Sequence, residues 1–446
     1  MEKKLLARYP IGNPRRVWRQ DNFIFCISSA APVGLDLDGE LLGEKIRRSV
    51  KTCVEAGFNL IGTLWASPAV SREILRAAEG LGANVLYQNL KRCGGMGNKN
   101  IFCETHDLEG VLDYLSQWKC PAALWIWDEP FEEEHMRLTR DMIDRCEKLR
   151  PDLLPCTVAV PSYNPLHRWD NGKYEEYIRR FVEIIDPAQM HMDYYPIGLP
   201  HPKDDPHYSI ERQLDRSHFW LDLEVVRRVA KEREIPNWFA YQGHKFHFCP
   251  HTRIYIFPMI RAMANAALMY GVKALDHYTE FEGVIDPETG GKGWFFEDMQ
   301  KFNREVAALG NTLMALTCQR VIHDETLLAE DPYMAKYRTS MEESELLTGK
   351  LNPRVSVSEH SDIYGNRYLM VLNRDYEQAA YMELELKTPS HVYRVSREDG
   401  EQRLVHEKVK KMVVALAPGD LALYRIQPAN EKAFLIEYYL EKEVLP

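Results

Sequence analysis

A chain of 446 residues with 45% apolar and 27% charged side chains can bury a core and is long enough for one large barrel plus a smaller partner domain. Its net charge of −10 comes without a basic run, which excludes nucleic acid as the expected partner, because neutralising phosphates takes clustered Lys and Arg. No apolar stretch is long enough to span a bilayer, so no membrane partner is expected either.

The start, Met1 to Pro10, is charged and lacks the apolar stretch of a signal peptide. The 9 cysteines are scattered, with no Cys-x-x-Cys pair, as free thiols would be. Both features lead us to expect a cytoplasmic protein. From there to residue 316, short apolar runs alternate with longer segments of helical periodicity. The runs are Phe23–Ser28, Phe58–Gly62, Asn84–Gln88, Ala122–Trp127, Leu154–Val160, Gln189–Asp193, Trp238–Gln242 and Ala274–Tyr278. The helical segments include Ile46–Val54, Met136–Leu149, Tyr177–Ile185, Leu221–Val229 and Glu297–Leu316. Serial strand–helix units imply a parallel sheet, and this number of them closes a (β/α)8 TIM barrel. A doubly wound sheet is the rival, but the first turn lacks the glycine fingerprint of a dinucleotide fold. Cys93-Gly94-Gly95-Met96-Gly97 opens no clear helix and reads as a loop.

Beyond Leu316 the pattern changes. Tyr381–Leu386 alternates polar and apolar with period two, and Arg367–Leu372, His391–Val395, Lys411–Leu416 and Leu421–Ile426 are also strand-like. Pro418-Gly419-Asp420 marks a turn. Cys318–Leu351 is expected to hold one strand and a long loop, and Glu431–Lys442 an amphipathic helix. The expected division is a barrel over residues 1–316, an antiparallel β-sandwich over 317–427 and a helical tail over 428–446.

The most informative stretch is Trp125-Ile126-Trp127-Asp128-Glu129-Pro130. A buried strand stops here at two acids and a proline, which cannot donate to a ladder. The carboxyl ends of barrel strands share one face, where ligands bind. The other strands end at Thr63-Leu64-Trp65, Gln88-Asn89, Ser162-Tyr163-Asn164, Asp193-Tyr194-Tyr195-Pro196, Gln242-Gly243-His244 and Asp276-His277-Tyr278-Thr279-Glu280, with Glu282 close behind. Acids, amides and aromatics thus recur at strand ends. The mixture suits a carbohydrate: carboxylates and amides grip hydroxyls, and aromatic faces cover the ring.

Trp125-x-x-Asp128-Glu129-Pro130 after strand four resembles the large clan of (β/α)8-barrel glycoside hydrolases. Asp193-Tyr194-Tyr195-Pro196 is similar to the Asp-x-Tyr-Pro after strand six in bacterial members. The passage Arg253–Tyr278 and the C-terminal β-sandwich are similar too. The resemblance implies that Glu129 is the general acid or acid/base. It also implies a Glu nucleophile at the end of strand seven, where this chain has Gln242, an amide that cannot attack an anomeric carbon.

The second acid is therefore sought elsewhere, at Asp193 first and Glu280 next, with Asp276 and Glu282 behind them. Trp65, Trp127, Asp128, Tyr195, Gln242, His244, Asp276 and His277 are expected to line the sugar site. A second carboxylate on another strand would sit across a wider gap and invert the anomeric configuration. No cofactor and no metal are expected. Self-association into a homo-oligomer is compatible with the sequence. Two further classes remain in play: a non-catalytic carbohydrate-binding barrel, which Gln242 would explain, and a metal-dependent hydrolase built on the His244/His247/His251 cluster with Cys249.

Overall fold

The computed structural model describes residues 11–30, 40–64, 66–88, 108–162, 173–197, 218–243, 256–278, 283–330 and 334–431. Each of the expected runs forms a parallel strand: β1 Ile24–Ile27, β2 Leu60–Gly62, β3 Asn84–Tyr87, β4 Pro121–Asp128, β5 Leu154–Ala159, β6 Met190–Tyr194, β7 Asn237–Gln242 and β8 Ala274–Tyr278. They pair in chain order, and β8 returns to β1 through Cys26 opposite Asp276, closing the barrel. The order follows from short right-handed crossovers, each carrying a helix that covers the outer face.

The crossover helices, among them α1 Glu40–Glu55, α2 Pro68–Leu81, α3 Leu108–Ser116, α4 Glu133–Leu149 and α5 Lys173–Ile185, are amphipathic. In α5, Lys173–Ile185, the buried side chains are Tyr174, Tyr177, Ile178, Phe181, Val182 and Ile185. Helical geometry sets these on one stripe against the sheet, each worth roughly 1.5–3 kcal/mol when fully buried. α2, Pro68–Leu81, starts at Ser67, whose hydroxyl accepts from Val70 N, and stops at Gly82 in the left-handed region, as an N-cap and a C-cap glycine should. Inside the barrel the fill is smaller: Cys26, Leu60, Ala123, Cys156 and Ala274 surround Trp238. Of the cysteines, Cys26, Cys53, Cys120, Cys146, Cys156 and Cys318 are buried free thiols. No helix among the described residues is long and apolar enough to cross a membrane.

The last barrel helix, Phe296–Ala315, leads into an antiparallel sheet of seven strands. These are β9 Thr317–His323, β10 Leu347–Thr348, β11 Val355–Ser361, β12 Arg367–Asn373, β13 Ala380–Val395, β14 Gln402–Leu416 and β15 Leu421–Pro428. Hydrogen bonding runs continuously through all of them. Two runs expected as separate strands join in β13. Its first half pairs with β10 and its second with β15, while β14 pairs with both halves across irregular register between Glu385 and Ser390. Pro389 sits in that irregularity, where a missing N–H costs no ladder bond. Strand β14 starts well before Lys411, because its first half is exposed on both faces. Such a strand has no apolar alternation to reveal it, and its lysines protect the sheet edge.

One face of β12 joins the sheet's own core through Leu369 and Val371, while Tyr368, Met370 and Leu372 pack towards the barrel. The seam is pinned by Arg374, which is ion-paired with buried Asp324 and lies over the Trp220 ring of the barrel at 5.7 Å, and by the turn at Gly419. The Asn265 amide donates to the Gly419 carbonyl at 2.9 Å. Gly419 has φ +66, and a Cβ there would lie 2.5 Å from the Pro258 carbonyl. Gly419→Ala is therefore expected to cost about 1–3 kcal/mol through left-handed strain and overlap. Thermal unfolding of the whole chain checks this, and an unchanged Tm contradicts it.

Candidate active site

At the carboxyl ends of the strands a cavity of about 180 Å³ is lined by carboxyl groups from three strand ends: Asp128 at the end of β4 with Glu129 directly after it, Asp193 on β6 and Asp276 on β8. Alternation along a strand would send Asp128 and Glu129 to opposite faces. Glu129 has φ 52, in the left-handed region that a non-glycine residue enters only where surroundings impose it. That turn lets consecutive carboxyls line one cavity. The neighbouring backbone is held from α5: the Val160 N–H donates to the Tyr177 hydroxyl at 2.9 Å, and that hydroxyl donates to the Pro130 carbonyl at 3.3 Å.

The acids disturb one another. Burial pushes Glu129 well above the usual carboxylate range, and the charges of Asp193 and Asp128 push it further. Burial raises Asp193 to about 7, opposed by a hydrogen bond from Tyr195 and reinforced by Asp128 and Asp276. Burial raises Asp128 to about 6. Asp276 is also raised to about 6 by burial, against hydrogen bonds from Ser28 and Cys26. The Ser28 hydroxyl donates to Asp276 Oδ1 at 2.8 Å. Like charges in a shared low-dielectric site keep at least one proton between them at neutral pH. Glu129 is opposed in ionising by burial first and then by the charges of Asp193 and Asp128. A group that holds a proton beside one that ionises is the division of labour required for acid/base work.

Tyr195 and Tyr278 stack at 4.7 Å between centroids with planes 20° apart, on the wall of this cavity. Of the residues selected from sequence, Glu129, Asp128, Asp193, Tyr195 and Asp276 come together here.

Others do not. Trp127 faces away from the cavity, against His135 on α4, Glu133–Leu149, with centroids 5.1 Å apart. A register shift in the β4–β5 pairing between Trp125 and Trp127 leaves Ile126 and Trp127 on the outer face and Trp125 on the inner. The indole on the cavity is thus Trp125. His277 also points outward, between Phe58 and Tyr241, with its Nδ1 3.3 Å from the Tyr241 hydroxyl. The ring fills the space beside Gly243, where a Cβ would sit 2.4 Å from His277 Nε2. Gln242 is fully buried and tied to the segment after β6. It accepts from Ile197 N at 2.9 Å and donates to Ile197 O at 2.7 Å. These expectations are corrected: Trp127 and His277 pack between strands and helices, and Gln242 braces the backbone beside Asp193.

Trp65, His244, Glu280 and Glu282 lie outside the described residues, as do His247, Cys249 and His251, the segment Cys93–Gly97 and the tail beyond Glu431. Among the described residues, no group of three or more His, Cys, Asp or Glu side chains is placed to hold a metal ion. A larger cavity of about 580 Å³, lined in part by Asn237, Tyr270 and Lys273, opens at the opposite end of the strands. It carries no cluster of facing carboxyls.

Ser28, Gln88, Trp125 and Tyr278 also line the cavity, beyond the residues expected there from the sequence. Period two was the available signal for Tyr278: if Asp276 points inward, so does the residue two further on. The same rule sets His191 inward below Asp193. There it lies between Trp125 and Trp238, with Nε2 3.6 Å from Asp276 Oδ2. Burial holds His191 down to about 3, so it meets Asp276 as a neutral ring.

No family model and no curated protein matches this sequence. Solved structures with a similar fold include a β-L-arabinopyranosidase from Geobacillus stearothermophilus. It is 10% identical with TM-score 0.49, covering 92% of this chain and 97% of that one. A putative α-galactosidase/melibiase from Bacteroides fragilis is 12% identical with TM-score 0.49, covering 91% and 79%. A GH51 arabinofuranosidase from Xanthomonas axonopodis pv. citri is 10% identical with TM-score 0.48, covering 94% and 97%.

Proposed function

We propose that the protein is a glycoside hydrolase acting on small neutral glycosides. The observation that carries this reading is the pairing of Glu129 with Asp193. They line one cavity from β4 and β6, and the Asp193 charge helps to keep Glu129 protonated. Glu129 donates its proton to the glycosidic oxygen as the bond breaks. Asp193, oriented by the Tyr195 hydroxyl, is ionised when Glu129 is not, and activates the attacking water. The Tyr195–Tyr278 stack receives the ring. A cavity of 180 Å³ is below the about 300–1,000 Å³ of sites for drug-sized ligands, which favours a single terminal sugar over an internal polymer segment.

With Gln242 engaged by Ile197, strand seven contributes no nucleophile, and Asp193 or Glu280 takes the second role. Inverting enzymes separate their carboxyls by about 6.5–9.5 Å to admit a water, against about 5–5.5 Å in retaining ones. We expect inversion. NMR of the first-formed product is expected to show the anomer opposite to that of the substrate. A retained anomer, or a sugar trapped covalently on any side chain, contradicts it.

A further inference from the structure

Gln88 follows β3 on the wall of the cavity and is 4% exposed. Its backbone is anchored: the Gln88 N–H donates to Thr63 Oγ1 at 2.8 Å, and the Thr63 hydroxyl lies 3.4 Å from the Gln88 carbonyl. Its side chain is not. Oε1 and Nε2 are both buried, and neither has a hydrogen-bond partner among the described residues. Gln242, the same residue type on the same barrel face, has both amide atoms tied to Ile197. A buried polar group without a partner costs about 1–3 kcal/mol, and native structures keep few of them. Two more orphans line the same space, the Trp125 indole Nε1 and Asp193 Oδ1. Together they offer a donor and an acceptor on one amide, a second donor and a second acceptor. An apolar ligand would leave all of them unsatisfied.

We propose that Gln88 is a specificity-determining residue that grips two adjacent hydroxyls of a neutral sugar ring, while Trp125 Nε1 donates to a third oxygen. An amide presents its carbonyl and its N–H side by side. One hydroxyl donates to Oε1 and its neighbour accepts from Nε2, so the substrate carries a free vicinal diol where it faces β3. The described lining holds four carboxyl groups and no Lys or Arg. A uronic acid or a sugar phosphate would meet like charge there. That the bound sugar is also a substrate rests on the hydrolase reading; that it is bound through a diol rests on the cavity.

The test uses the full chain carrying Glu129→Gln, so that binding is read without turnover. D-glucose, D-galactose, D-mannose, L-arabinose, D-xylose and L-fucose are titrated calorimetrically, and the tightest is repeated as each of its monodeoxy derivatives. Removing either of two adjacent hydroxyls is expected to weaken binding about 10- to 100-fold with Gln88 present and less than about threefold after Gln88→Leu, following the penalty for an orphaned group. Without sugar, Gln88→Leu is expected to raise Tm, because it removes a buried amide that has no partner. Two results overturn the proposal. One is that Gln88→Leu lowers Tm and weakens every derivative equally, as a structural role would. The other is that none of these sugars binds. Sugars that bind through the diol but are never cleaved as glycosides by the wild type would leave Gln88 in this role and sink the hydrolase reading instead.

Discussion

Replacing Glu129 with glutamine is expected to lower kcat about 10²- to 10⁴-fold on a glycoside with a poor leaving group, the usual contribution of general acid catalysis. The loss should shrink on a dinitrophenyl glycoside, whose aglycone departs without a proton. Glutamine keeps the shape and removes the transferable proton, so the fold should persist. The pH profile provides a second reading. Wild-type turnover should rise as pH approaches about 7, where Asp193 ionises, and fall at higher pH as Glu129 loses its proton. In the variant the alkaline limb should vanish and the acidic limb remain. The limbs belong to the coupled cluster rather than to single residues, but only Glu129 can supply the alkaline one in this account. Wild-type kcat from Glu129→Gln on the poor leaving group would end the assignment.

Asp193→Asn should abolish turnover and stabilise the protein at alkaline pH. Asp193 is raised to about 7 in the fold, against about 3.9 in an unfolded chain. The folded state therefore binds more protons through that window. The stability it contributes is intact below about pH 4 and is lost as pH rises through about 7. Asp128 and Asp276, each raised to about 6, act in the same direction. The wild type is thus expected to melt higher near pH 5 than near pH 8. Asparagine at 193 removes a buried charge and relieves Glu129, recovering on the order of 1–4 kcal/mol at pH 8. Such a trade of activity for stability is common at functional sites. A variant that melts lower than wild type at pH 8 would contradict the picture of mutually opposed carboxyls.

The barrel was legible because strands buried on both faces are continuous apolar runs, and each ends at an acid, an amide or a turn. Asp128, Glu129, Asp193 and Asp276 could be found by asking what stands at each end. What could not be read was set by pairing between strands. Trp125 replaces Trp127 on the cavity because of a register shift against β5, which no local pattern in β4 announces. His277 was misplaced for want of a simple parity argument from Asp276. Gln242 and Gln88 are the same residue type at two strand ends, and only the backbone of Ile197 tells them apart: it occupies one amide and leaves the other free. The charged first half of β14 hid for a different reason, since a strand wet on both faces has no alternation to show.

The most direct measurement is aglycone release from a panel of neutral aryl glycosides by the wild-type chain, beside Glu129→Gln and Asp193→Asn. Release from at least one glycoside is expected from the wild type, with loss of about 10²-fold or more in both variants on a poor leaving group. No release from any glycoside by a chain that binds the free sugars, or release that survives both substitutions, would contradict it. The first of these results would establish a carbohydrate-binding barrel in its place.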